Sequence, residues 1–373
     1  MTWMDVADLD RLLVQLGELD GSDLHIKAGA PPRMRIAGSL RTVEGEAAFT
    51  AKETMQISEA IMSETVLETF RTKHEADFAY SIPGVGRFRI NAYFQRSSAA
   101  LAIRRVRASA ATAEELGLPP VVTQLAEEQR GLVLVTGPTG SGKTTTLAAM
   151  IDHINHLRSC HIVTIEDPVE VMHKDDLAAI DQREVGFDTD SFSSAMRVVL
   201  RQDPDVILVG EMRDQETVAA ALSAAETGHL VFSTLHTINS TETINRIVDF
   251  FPPHQQSQIR LSLAGSLKGI VCQRLIPTVE GDNRVPALEV LVINGRIQQA
   301  IIDPLLTGDI ESIVADGAYY GMVTFDQSLA GLMAAGRISL AEAMATASNP
   351  HDLKVMLERQ GILQTGSFAA QLG

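Results

Sequence analysis

The chain has 373 residues, room for two to three domains at about 150 residues each, and 45% of them are hydrophobic, too many for a disordered chain. Its 31 Lys and Arg stand against 47 Asp and Glu, a net charge of −16 that argues against a chain-wide grip on nucleic acid. Only two cysteines occur, Cys160 and Cys272, outside any C-x-x-C; this excludes a disulfide framework and a Cys-ligated zinc site, and both are expected as small buried hydrophobes.

Residues 1–10 carry three Asp and no basic run, so they do not read as a signal peptide. No stretch of about 18 apolar residues is free of charge, so a soluble, intracellular protein is expected. Val6, Leu9, Leu12, Leu13 and Leu16 recur at helical spacing, and Gly17 and Gly21 end the pattern. Residues 23–27 and 33–36 read as strands around a Pro31-Pro32 turn. One helix is expected over 51–70, burying Ile57, Ile61, Val66 and Phe70. Over 87–94 the pattern alternates. Phe88, Ile90, Ala92 and Phe94 share one face, and Arg87, Arg89, Asn91 and Tyr93 share the other. Residues 101–106 read as its partner strand. Residues 1–107 thus predict a small α+β domain. Residues 108–120, rich in small side chains and closed by Pro119-Pro120, read as a linker.

From Gly131 the pattern becomes β-α-β. Continuous apolar runs over 132–136, 161–165, 206–209 and 230–234 predict strands buried on both faces of a mostly parallel sheet. After about Pro286 the pattern reads as all helical, with helices over 297–302, 325–335, 340–347 and 353–360.

The first of these strands runs into Gly137-Pro138-Thr139-Gly140-Ser141-Gly142-Lys143-Thr144, which fits the phosphate-binding P-loop pattern, with Thr145 next and a helix expected over 143–156. Glycines let backbone amides close around phosphate oxygens. Lys143 offers a cation to the β- and γ-phosphates, and the Thr144 hydroxyl suits Mg²⁺. ATP and Mg²⁺ are the expected ligands. Three more strand ends carry polar groups where ligands bind in open α/β sheets. Glu166 and Asp167 end one. Gly210-Glu211 ends another; because Gly210 stands where many P-loop enzymes have Asp, Glu211 must do the acid's work on water or hydrated Mg²⁺. Thr234 and His236 end the third, placed to sense a γ-phosphate.

Ser22-Asp-Leu-His-Ile, Pro31-Pro-Arg-Met-Arg, Gly86-Arg-Phe-Arg-Ile-Asn, the P-loop, Thr164-Ile-Glu-Asp-Pro-Val-Glu, Arg201-Gln-Asp-Pro-Asp, Val209-Gly-Glu-Met-Arg-Asp and Thr227-Gly-His-Leu-Val-Phe-Ser-Thr-Leu-His-Thr complete a set. Together they resemble the type II/IV secretion ATPase superfamily, and within it most the type IV pilus retraction ATPases. The resemblance covers nearly the whole chain. It matches Glu166 to the family's Asp box, Glu211 to its Walker B and His236 to its His box.

It implies an α/β fold: a PAS-like N-terminal domain over 1–107, then a RecA-like ATPase domain over 121–373 whose helical C-terminal region starts near 294. It implies a homo-hexameric motor at the cytoplasmic face of the inner membrane. An inner-membrane pilus platform protein and a second pilus motor ATPase are the expected partners. The nucleotide would lie between the domains, with Arg89 and Arg104 as the best-matched N-terminal arginines and Arg105 one residue away. Where the retraction branch carries Ala-Ile-Arg, this chain reads Asn294-Gly-Arg-Ile-Gln-Gln-Ala. A pilus extension or type II secretion ATPase is the alternative, and a non-catalytic nucleotide-binding regulator the alternative from another class.

Overall fold

The computed structural model describes residues 6–281 and 283–363. These divide into two compact units, one up to Ser109 together with Glu170–Met172, the other comprising the remainder from Ala110 onward.

The first unit comprises α1 (Val6–Glu18), β1 (Asp23–Lys27), β2 (Arg33–Ile36), β3 (Ser39–Thr42), α2 (Ala51–Ala60), α3 (Glu64–Lys73), β4 (Glu75–Ile82), β5 (Gly86–Gln95) and β6 (Ser98–Arg105). The strands form one antiparallel sheet in the order β3-β2-β1-β6-β5-β4. Leu9, Leu12, Leu13 and Leu16 are fully buried, as their i, i+3, i+4, i+7 spacing requires. On β5 the alternation holds: Phe88, Ile90 and Ala92 are buried and the intervening residues half-buried. The single helix expected over 51–70 is two. Residue Ile61 ends α2, and Ser63 caps α3 by accepting the Val66 amide, so the chain turns between them. Strand β4 pairs with β5 and is hard to see in the sequence, because its charged and polar residues dilute the period of two.

The second unit comprises α4 (Pro120–Ala126), β7 (Gly131–Thr136), α5 (Lys143–Leu157), β8 (His161–Glu166), β9 (Ala179–Glu184), α6 (Phe192–Val199), β10 (Val206–Val209), α7 (Gln215–Glu226), β11 (Leu230–Leu235), α8 (Ser240–Asp249), α9 (Pro253–Ser266), β12 (Leu267–Pro277), β13 (Arg284–Val292), α10 (Gly295–Ile302), α11 (Ile310–Ala315), α12 (Phe325–Ala334), α13 (Leu340–Thr346) and α14 (Pro350–Arg359). Its sheet runs β13-β12-β7-β11-β10-β8-β9. Every residue of β7, β10 and β11 is buried, and apolar clusters cover both faces, as a parallel sheet demands. The sheet is parallel except for the β12–β13 hairpin.

That hairpin corrects the all-helical reading after Pro286. Strand β13 continues to Val292, and Pro286 sits within it opposite Leu275. An edge strand tolerates proline because one side of it needs no amide donor. Part of the stretch read as linker is packed: Leu118 is buried, and Ala113 and Leu116 lie against the second unit's core. Residues 1–5 and 364–373 lie outside the described residues. No helix among the described residues is long and apolar enough to cross a membrane.

Candidate active site

Four parallel strands place their carboxyl ends together. Leu235 pairs with Thr136, Val209 with Ser233, and Val209 with Ile165. One sheet edge therefore carries the P-loop after β7, residue 236 after β11, Gly210-Glu211 after β10 and Glu166 at the end of β8. Open α/β sheets bind ligands at this edge.

The loop is shaped for an anion. Gly142 has φ +90, and a Cβ there would stand 2.7 Å from the Gln273 amide nitrogen. It caps α5 without any side-chain acceptor on the first-turn amides, which leaves them for a ligand. The Ser141 hydroxyl is buried and lacks a hydrogen-bond partner among the described residues. Thr144 and Thr145 are half-buried in the first turn of α5. Lys143 Nζ donates to the carbonyls of Gly137 at 2.8 Å and Pro138 at 3.1 Å, folding over Thr139 and Gly140 toward the loop's start. Burial lowers the Lys143 ammonium below the usual lysine range, and the charge of Glu211 opposes that shift. The cradle, the uncapped helix start and the cation fit a nucleotide phosphate. The oxygen donors Thr144 and Glu211 are of the type Mg²⁺ takes.

Glu211 is gripped from two sides. Arg213 donates to Oε2 from Nε and Nη2, each at 2.8 Å. His236 Nε2 stands 3.4 Å from Oε1. Arg213 also approaches Asp167 at 4.0 Å, the other carboxylate of the Glu166 strand end. Gly210 lies close against the neighbouring strand: a Cβ there would meet the Ile165 carbonyl at 3.2 Å. Thr234, expected to sense phosphate, instead donates to the Gly210 carbonyl at 2.6 Å and ties β11 to β10. Glu166 is buried, and its Oε1 accepts from Thr164 Oγ1 at 2.6 Å and Gln182 Nε2 at 3.1 Å.

Sequence reasoning assigned no role to Arg213 or Gln273. Arg213 lies two residues after Glu211 in Val209-Gly-Glu-Met-Arg-Asp, but its partner depends on how the two side chains fold back on each other, which the motif does not show. Gln273 is buried on β12 and accepts from Thr146 Oγ1 at 2.7 Å, pinning the first turns of α5. That link spans 127 residues, beyond any local pattern. Replacing Gly142 by Ala should therefore weaken nucleotide binding at least tenfold, because a side chain at that φ must displace Gln273 or unwind the cap. Titration with a fluorescent nucleotide measures this; unchanged affinity would contradict the cradle.

The arginines belong to the first unit's sheet. Residues Arg35, Asp23, Arg104 and Arg89 pair in a row across β2, β1, β6 and β5. Cross-strand partners share a face with Cβ atoms about 5 Å apart. Arg104 Nε donates to Asp23 at 2.9 Å, and Arg35 stands 3.6 Å from it. Burial alone would raise the Asp23 carboxyl, but hydrogen bonds from Ser22 and Arg104 outweigh it and bring the group below the usual carboxylate range. Arg105 instead pairs with Asp20 at 3.0 Å. The Arg89 side chain has no hydrogen bond or ion pair among the described residues. Both cysteines are free; burial raises both thiols, with Cys272 fully buried and Cys160 half-buried.

Residues 6–362 match the family model described as type II/IV secretion system protein. The type IV pilus retraction ATPase PilT of Pseudomonas aeruginosa is 42% identical over 92% of this chain and 99% of its own length. The type IV pilus ATPase PilU of the same organism is 40% identical over 95% of this chain and 92% of its own length. A crystal structure of the pilus retraction motor PilT with bound ADP superposes with a TM-score of 0.85 at 43% identity, covering 95% of this chain and all of the other. The chain belongs to the type II/IV secretion system family, among its ATP-hydrolysing type IV pilus ATPases.

Proposed function

We propose that this chain is a motor that hydrolyses ATP to retract a type IV pilus. The observation that carries it is Glu211, an acid held between Arg213 and His236 at the sheet edge that bears the P-loop. In this reading the amides of residues 140–145 and Lys143 hold the phosphates. Glu211 takes a proton from water as its oxygen bonds to the γ-phosphorus. The bond to the β–γ bridging oxygen breaks, and ADP and phosphate leave. His236 senses the γ-phosphate and keeps Glu211 aimed, while Glu166 orients the far side of the water. Mg²⁺, held by Thr144 and Glu211, would neutralise phosphate charge when bound. Arg89 and Arg104, the arginines that the family resemblance matches, neutralise charge on the γ-phosphate in this reading.

Full-length similarity to retraction ATPases supports a homo-hexamer that turns on a pilus platform protein at the cytoplasmic face of the inner membrane. A second pilus motor ATPase is a further partner in this reading. The test is a cell whose own copy carries Lys143→Ala. Surface pili should accumulate while twitching stops. Loss of surface pili would instead mark an extension motor.

A further inference from the structure

Glu289 is a buried carboxylic acid that none of these steps uses. It stands on β13 opposite Cys272 of β12 and is 8% exposed. Its Oε1 accepts the backbone amide of Ser240 at 2.7 Å. Ser240 opens α8, which begins four residues after His236. The segment between is tied at each step. Thr237 Oγ1 meets Thr243 Oγ1 at 2.6 Å, the Ile238 amide donates to Glu242 at 3.1 Å, and the Asn239 side chain caps α8 by accepting from Glu242. Thr243 in turn donates to the Asn239 carbonyl at 2.7 Å, and its hydroxyl stands 3.5 Å from that of Thr136, the residue before the P-loop. Most of these bonds join the segment to its own helix. The Glu289 bond joins the helix start to the hairpin of β12 and β13, and a carboxylate there also complements the helix dipole. Arg274 and Glu311 act on the Glu289 charge with opposite signs, and burial raises its carboxyl.

We propose that Glu289 is a positioning residue for His236. By holding the first turn of α8 to the sheet, it sets the reach of residues 236–239 and hence the separation of His236 from Glu211. The inference rests on the hydrolytic reading of those two residues.

Steady-state ATPase of the full chain tests it. Glu289→Ala should lower kcat about tenfold or more, with KM for ATP within about twofold, since the P-loop amides and Lys143 that hold the phosphates are untouched. Glu289→Gln keeps an acceptor oxygen and should restore most of the rate. Ser240→Pro removes the donor instead, at the first helical position, where proline fits and where Asn239 is already extended (φ −152, ψ 171). It should reproduce the loss. A chain with both His236→Ala and Glu289→Ala should be no slower than His236→Ala alone. The inference is overturned if folded Glu289→Ala and Ser240→Pro turn over at the parent rate, if Glu289→Gln is as slow as Glu289→Ala, or if the double variant loses the product of both effects. Should Glu289→Ala fail to fold, Ser240→Pro and Glu289→Gln decide the question. A His236→Ala chain at the parent rate overturns the His236 assignment and this inference together. A slow His236→Ala beside a fast Glu289→Ala overturns this inference alone.

Discussion

Replacing Glu211 by Gln should leave ATP bound and stop its turnover. Gln has the same shape and an oxygen that can still accept from Arg213, so the grip seen at 2.8 Å can persist. It cannot take a proton from water. General-base removal typically lowers rate by about 10²–10⁴-fold, and kcat should fall by that much. Affinity should hold or rise, because the variant removes a negative charge that faces the phosphate site and acts on Lys143. Phosphate release and equilibrium nucleotide binding, measured on one preparation, check both halves. Retained steady-state hydrolysis would remove Glu211 from the base role.

Lys143→Ala should lose both. The ammonium donates to two carbonyls of its own loop. Its removal takes away the cation and the donor that folds the loop. A hydrogen bond to a charged group contributes about 1.5–3 kcal/mol, so ATP affinity should fall by roughly 10–100-fold. Turnover should fall further, by about 10²–10³-fold, because the charge that develops on the phosphates loses its partner. The pH dependence has a definite sign. Burial lowers the Lys143 ammonium, so the free protein loses that cation at a lower pH than an exposed lysine would. ATP affinity should therefore be greatest on the acid side of that transition and decline as pH rises through it. The Lys143→Ala chain should lack this alkaline decline.

How much of this was legible in the sequence depends on whether a signal is local. The strands at the centre of the second sheet announce themselves because burial on both faces forces unbroken apolar runs, as in Val206–Val209. The P-loop is legible because phosphate binding constrains consecutive residues. Edge strands are harder. The polar β9 over Ala179–Glu184 and the proline-bearing β13 satisfy one neighbour or one face only, so their composition follows other demands. The break between α2 and α3 turns on one cap at Ser63, a signal far weaker than the apolar stripe running across it.

The same distinction separates the site residues. Glu211 and His236 each end an apolar strand, and parallel pairing brings such ends together, so their approach to 3.4 Å follows from position. Glu166 was equally legible as a strand end, but its ties to Thr164 and Gln182 were not. Gln273 and Glu289 act through contacts 127 and 49 residues away in the chain. Only the hairpin's register, with Cys272 paired to both Thr136 and Glu289, brings β13 to the P-loop's root.

The most direct test is the ATPase rate of size-resolved protein, with Glu211→Gln run beside it. Turnover confined to a large ring fraction, and absent from the variant, is the predicted result. Full turnover by monomers, or a Glu211→Gln ring that hydrolyses ATP at the parent rate, would contradict it.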